Sequence, residues 1–132
     1  MSAELDYAYL AEFVKSENGR LTAINASFTE VATRGFPTSM TLGVAGRVRR
    51  QEGDPDPELS INISTPGEGA ELDLALLLSS DYEAVTYNNK VANVFAINGP
   101  IVLNEPGLVK VSVSLDGKLV RRLAFEVLEK PL

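Results

Sequence analysis

The chain contains no cysteine, no histidine and no tryptophan. Without an imidazole, no Ser-His or Cys-His nucleophilic pair can form within one chain. Zinc, haem and iron–sulfur clusters lose their usual donors, which leaves only oxygen-liking ions such as calcium or magnesium. No disulfide can staple the fold, as suits a reducing compartment. Positive charge is also scarce: twelve Lys and Arg stand against eighteen Asp and Glu, a net charge of −6. Phosphate neutralisation dominates nucleic-acid affinity, so an acidic chain without a basic stripe is not expected to bind DNA or RNA. Anionic membranes are disfavoured for the same reason.

Long apolar runs are missing too. The longest, Leu74-Ala75-Leu76-Leu77-Leu78, is far too short to span a bilayer. Residues 1–6 carry acids where a secretion signal carries Lys or Arg, and no apolar segment follows. A cytoplasmic protein is therefore expected, and the two glycosylation sequons at Asn25 and Asn62 carry no weight without export.

What is present is alternation. Hydrophobic residues make up 45% of 132 positions. A domain of this length buries roughly two-thirds of the surface its unfolded chain exposes, so a real core is within reach. One domain over residues 1–132 is expected. Residues 5–14 read as a first strand, closed by the hairpin signal Asn18-Gly19, and residues 20–31 as its return. Gly35-Phe36-Pro37 breaks the chain. Met40, Leu42, Val44 and Val48 then alternate with Thr41, Gly43, Ala45 and Arg47. The two prolines and the acids of residues 52–58 make a solvated loop. Leu59, Ile61 and Ile63 form a half-buried strand, Pro66-Gly67-Glu68-Gly69 turns, and Leu72, Leu74, Leu76 and Leu78 alternate again. Residues 79–90 read as a loop, and 91–103 as one or two short strands. The clearest pattern comes last: Val109, Val111, Val113 and Leu115 run to an Asp116-Gly117 turn, and residues 118–128 return. Strands without intervening helices predict antiparallel sheets rather than βαβ units.

The stretch Glu105-Pro106-Gly107-Leu108-Val109-Lys110-Val111-Ser112-Val113-Ser114-Leu115-Asp116-Gly117-Lys118 resembles the penultimate strand and final hairpin of many bacterial immunoglobulin-like domains. Asp6-Tyr7-Ala8, Asn18-Gly19-Arg20-Leu21 and Phe36-Pro37 resemble a family of small stand-alone bacterial proteins of unknown function. The resemblance covers both ends of the chain and leaves its middle unmatched. It implies an all-β fold, a two-sheet antiparallel β-sandwich of immunoglobulin-like kind with about seven or eight strands. It supplies no catalytic residues.

Three groups of residues stand out. Glu52, Asp54, Asp56 and Glu58 place carboxylates at every second position of a loop, where they could converge on calcium. Against this, Pro55 and Pro57 stiffen the loop, no EF-hand spacing is present, and a charged turn that keeps a hairpin soluble explains the same residues. Arg47, Arg49 and Arg50 form a basic patch that suits an acidic partner or ordinary cross-strand pairing. The first strand has no polar face: Tyr7, Tyr9 and Phe13 lie on one side, with Ala8, Leu10 and Val14 on the other. Both faces are then covered, one by the core and one by another protein or subunit, unless the strand crosses between sheets with its tyrosines at the rim. Arg121 falls in a core-facing row, which requires a bulge at Val120 or a guanidinium that snorkels out.

No catalytic constellation and no cofactor are implied. The sequence points to a non-enzymatic protein-interaction or structural domain of a bacterial assembly, binding a protein partner or itself through Tyr7, Tyr9, Arg47 and Arg49. The alternative is a small-ligand or calcium-binding domain using residues 52–58.

Overall fold

A computed structural model describes residues 3–67 and 71–131. Among them are strands β1 (Glu4–Ala11), β2 (Phe13–Glu17), β3 (Arg20–Ile24), β4 (Glu30–Thr33), β5 (Thr38–Gln51), β6 (Glu58–Ser64), β7 (Leu72–Leu77), β8 (Ala84–Tyr87), β9 (Lys90–Leu103), β10 (Gly107–Leu115) and β11 (Lys118–Glu129). Two sheets face each other, one in the order β1-β5-β9-β8 and the other β4-β11-β10-β6-β7. The alternation read from the sequence sets their inner faces. Leu42, Val44, Val48 and Phe95 from the first sheet meet Leu59, Ile61, Val111, Val113 and Phe125 from the second in one buried core. Fully burying each such side chain stabilises the fold by roughly 1.5–3 kcal/mol.

The centre of the first sheet is the pairing of β5 with β9 along their whole lengths, from Thr38 opposite Leu103 to Gln51 opposite Lys90. Glycine makes one contact here possible. Gly46 lies opposite Phe95, and a Cβ at Gly46 would sit 2.7 Å from the Phe95 ring and 2.3 Å from the Tyr7 carbonyl. The lack of a side chain at 46 leaves room for the ring against the strand, a use of glycine common where close approach is needed.

Four features differ from the sequence reading. The first strand is two, because the chain breaks at Glu12 between β1 and β2, and residues 20–31 split likewise into β3 and β4. β4 joins β11 in parallel, Glu30 opposite Glu126 through Thr33 opposite Glu129, so the sandwich is not wholly antiparallel. Residues 79–90, expected as a loop, contain β8, and residues 91–103, expected as one or two short strands, lie in the single long β9. Finally, β2 and β3 belong to neither main sheet. They form a hairpin whose Asn18-Gly19 turn has φ values of 53° and 74°, the positive pair a type I′ turn requires. The turn at Pro66-Gly67 enters the segment 68–70, where Glu68 and Gly69 lie outside the described residues.

Arg121 follows the bulge reading. Val113 opposes Arg121 while Ser114 opposes Leu119, so Val120 is the extra residue. Val120 packs against the core, and Arg121 is exposed.

Candidate functional site

The hairpin determines where a site can form. It folds back over the outer face of the β1-β5-β9-β8 sheet, and Ala11, Val14 and Ala45 are buried beneath it, with Tyr9, Leu21, Ala23 and Ala96 packed around them. Asn98 of β9 holds it down: its Oδ1 accepts from the Val14 N–H at 2.9 Å, and its Nδ2 donates to the Val14 carbonyl at 2.7 Å. At the tip, the Gly19 N–H donates to Glu83 Oε1 at 3.1 Å. Hydrogen bonds from Gly19, Ser16 and Asn18 favour the charged carboxylate and hold Glu83 below its ordinary value. The second apolar face of the first strand is therefore covered in part by the chain's own hairpin, where the sequence suggested another protein.

Between the hairpin tip and the sheet a cleft of about 400 Å³ remains, with Gly19, Arg20, Arg47 and Tyr87 on its walls and Ala92 and Val94 at its base. Gly19 is the close approach: a Cβ there would lie 2.4 Å from Val85 Cγ2.

Beside this cleft the structure gathers the four residues singled out as a partner surface. In β1 the register slips between Leu5 and Tyr7, so that Glu4 opposes Arg49, Tyr7 opposes Arg47 and Asp6 is the extra residue. A bulge re-aims side chains, and here it puts both Asp6 and Tyr7 on the outer face. Tyr7 and Tyr9 stack with ring centroids 6.3 Å apart at 15°. Arg47 lies over the Tyr7 ring at 5.3 Å, a cation–π distance. Its Nε donates to Asp6 Oδ2 at 2.7 Å, and its Nη2 reaches the same oxygen. Arg49 pairs with Glu4 at 3.6 Å and Asp6 at 3.7 Å. A hydrogen bond with Tyr87 raises its pKa first, followed by the charge of Asp6. Arg47 is raised chiefly by its hydrogen bond to Asp6. Burial, then the nearby Tyr7, raises Tyr9. One carboxylate thus fixes two guanidiniums among Tyr7 and Tyr87, which stay 37% and 38% exposed.

The third arginine of the sequence patch does not join them. Arg50 points inward, 4% exposed, with Nη2 2.8 Å from Asp56 Oδ1 and Nη1 donating to Asn93 Oδ1 at 2.7 Å. Asn93 in turn donates to the carbonyls of Ser79 and Tyr82 at 2.8 and 2.7 Å. This network ties the 52–58 loop and the 79–83 segment to the end of the sandwich. Asn93 was missed by the sequence reading, since nothing local marks an asparagine in an apolar strand as a hub.

That network also corrects the calcium reading of Glu52, Asp54, Asp56 and Glu58. Asp56 is committed to Arg50, and the Glu58 backbone is tied to the Asp116 turn. Among the described residues no three acidic side chains come together in a way that could hold a metal ion. Calcium needs six to eight converging oxygens, and of this loop's acids Asp56 is already paired with Arg50.

The chain belongs to a family of unknown function, DUF6941, whose pattern matches residues 6–128. Its sequence matches no curated protein. Among solved structures it is similar to an immunoglobulin-like protein from Pseudomonas aeruginosa, with 15% identity and a TM-score of 0.55 over 96% of this chain and 97% of that one. The likeness shows the fold: an all-β, immunoglobulin-like sandwich. The chain also aligns over 92% of its length with 30% of a Pseudomonas fluorescens alkylpurine DNA glycosylase, at 11% identity and a TM-score of 0.41. It aligns over 99% of its length with 16% of a β-glucosidase from Listeria innocua, at 11% identity and a TM-score of 0.39. Neither of these weaker likenesses bears on its chemistry.

Proposed function

We propose that this chain is a non-catalytic protein-interaction domain, and that its contact surface is the outer face around Tyr7, Arg47, Arg49 and Tyr87. The observation that carries the reading is the convergence of tyrosines and arginines from β1, β5 and β8 on one face, with Arg47 hydrogen-bonded to Asp6 and Arg49 paired with Asp6 and Tyr87. Tyr and Arg are the residue types enriched at protein contacts and at their energetic centres. Side chains already held in place lose less entropy when a partner docks, and so contribute more net affinity. Among the described residues the carboxylates on this face, Asp6 and Glu4, are paired with Arg47 and Arg49, so the face offers rings and hydrogen-bond donors. The charges of Arg47 and Arg49 are largely balanced by Asp6 and Glu4. A partner recognised here therefore brings apolar surface and hydrogen-bond acceptors more than a strong opposite charge.

The test is affinity capture from the native host under moderate salt, comparing the wild-type chain with Tyr7→Ser plus Tyr87→Ser. A partner retained in stoichiometric amount by the wild type, and at least tenfold less by a variant with unchanged circular dichroism, is the expected result. Equal retention by both, or no retained partner, overturns this assignment of the surface.

A further inference from the structure

The four outer strands of the two sheets are not equally protected. Exposed sheet edges template pairing with other chains, and proteins blunt them with bulges, charges, proline or short length. β1 carries the bulge at Asp6 and gives its Leu10 carbonyl to the Ser27 N–H at 2.7 Å. β4 and β8 are four residues each. The part of β9 that runs on past β8 contains Pro100. β7 has no bulge and no proline, and at six residues it is longer than β4 and β8. It pairs with β6 without a register shift, from Glu58 opposite Leu77 to Ile63 opposite Leu72. Among the described residues no strand pairs with its other side. Its single charge, Asp73, is turned back over its own sheet, accepting from Asn62 Nδ2 at 2.8 Å.

The side chains of β7 are equally incomplete. Leu72 and Leu74 lie on the same face as the buried Ile63 and Ile61, yet are 41% and 42% exposed. The backbone settles which groups point outward. The Leu78 N–H donates to the Pro57 carbonyl at 2.9 Å, and antiparallel pairs alternate between bonded and non-bonded. The amides of Leu72, Leu74 and Leu76 therefore face β6, and those of Asp73 and Ala75 face away.

We propose that a second copy of the chain occupies this edge, β7 pairing antiparallel with the partner's β7 about a two-fold axis at Leu74. In that register Asp73 and the partner's Ala75 exchange N–H···O bonds. On the inner face Leu74 meets the partner's Leu74, and Leu72 meets the partner's Leu76. A shift that centres the pair on Asp73 would set two carboxylates directly opposite, which is destabilising. A shift to Ala75 would aim Leu72 at the partner's Leu78, which is fully buried in its own core. The Leu74 register joins leucine to leucine without opposing charge and without calling on a side chain buried in the partner's core.

The contact is small, so the dimer is sought by sedimentation equilibrium at about 0.5 mM, where an interface below the ~1,200–2,000 Å² of stable complexes still assembles. Wild type is expected to approach twice the monomer mass. Leu74→Lys, which sets two ammonium groups face to face, is expected to stay monomeric. Since the chain has no cysteine, the register is read by oxidation of introduced thiols. Leu74→Cys is expected to cross-link with itself, its Cα separation of ~4.5 Å lying within disulfide range. Leu72→Cys is not, because its two copies lie ~13 Å apart along the strands. A wild-type monomer at this concentration, or Leu72→Cys cross-linking as readily as Leu74→Cys, overturns the proposal; the former would leave the edge to a strand of another protein. Tyr7→Ser plus Tyr87→Ser leaves this dimer intact, which separates its failure from failure of the outer-face reading.

Discussion

Asn98 does for the hairpin what a neighbouring strand would do. Its amide presents an acceptor and a donor to the two backbone groups of Val14, which would otherwise lie unpaired beside the buried Val14 side chain. An unsatisfied buried polar group costs roughly 1–3 kcal/mol. Asn98→Ala is accordingly expected to lower stability by about 1–3 kcal/mol in urea unfolding, with faster amide exchange concentrated in residues 13–24. Unchanged exchange there would mean that the apolar contacts of Val14 and Ala11 alone hold the hairpin. Arg50 was partly legible: alternation places it on the same face as Val48, and only its neighbours Arg47 and Arg49 suggested a surface patch. What alternation could not reveal was Asn93, 43 residues away, whose amide makes that inward position tolerable. A buried guanidinium needs such partners.

At the scale of the element, the hairpin tip has an acid-sensitive fastening. Its tip is fastened to Glu83, whose folded-state pKa lies below the ordinary value of 4.5 because Gly19, Ser16 and Asn18 donate to the carboxylate. A lowered carboxylate contributes stability that is fully present above the ordinary value and is lost as pH falls through the lower folded value. The melting temperature of wild type is therefore expected to exceed that of Glu83→Gln near neutrality, with the gap closing as pH drops below 4.5. A gap that stays constant into acid would show that the charge of Glu83 does not hold the tip. The two strands and the Asn-Gly turn were readable because their chemistry is local. Their docking on the outer face was not, because it depends on Gly43, Ala45 and Ala96 leaving room on strands read only for their core-facing side. In the same way Tyr7 and Tyr9 were correctly placed on one face, while Phe13 was not, because the break at Glu12 changes the face that later residues present.

For the molecule as a whole, Phe95 is a large, fully buried side chain of the core between the two layers, and it lies against Gly46. Phe95→Ala is expected to cost about 3–5 kcal/mol, measured as a drop in the urea midpoint without a change in slope. A loss below about 1 kcal/mol would mean that the two sheets close over the gap, as well-packed interiors seldom do.

The sequence by itself determined the fold class, the inner faces, the two glycine turns and the lack of any thiol or imidazole chemistry. Each follows from residue type or from a period of two, and needs no knowledge of distant neighbours. Only the tertiary structure decided which arginines face out, that the hairpin covers part of the first strand's outer face, that Asp56 serves Arg50, and that among the described residues no strand covers the outer edge of β7. These depend on which strands lie side by side, and strand order is set by contacts between residues far apart in the chain, which a pattern of alternation does not encode.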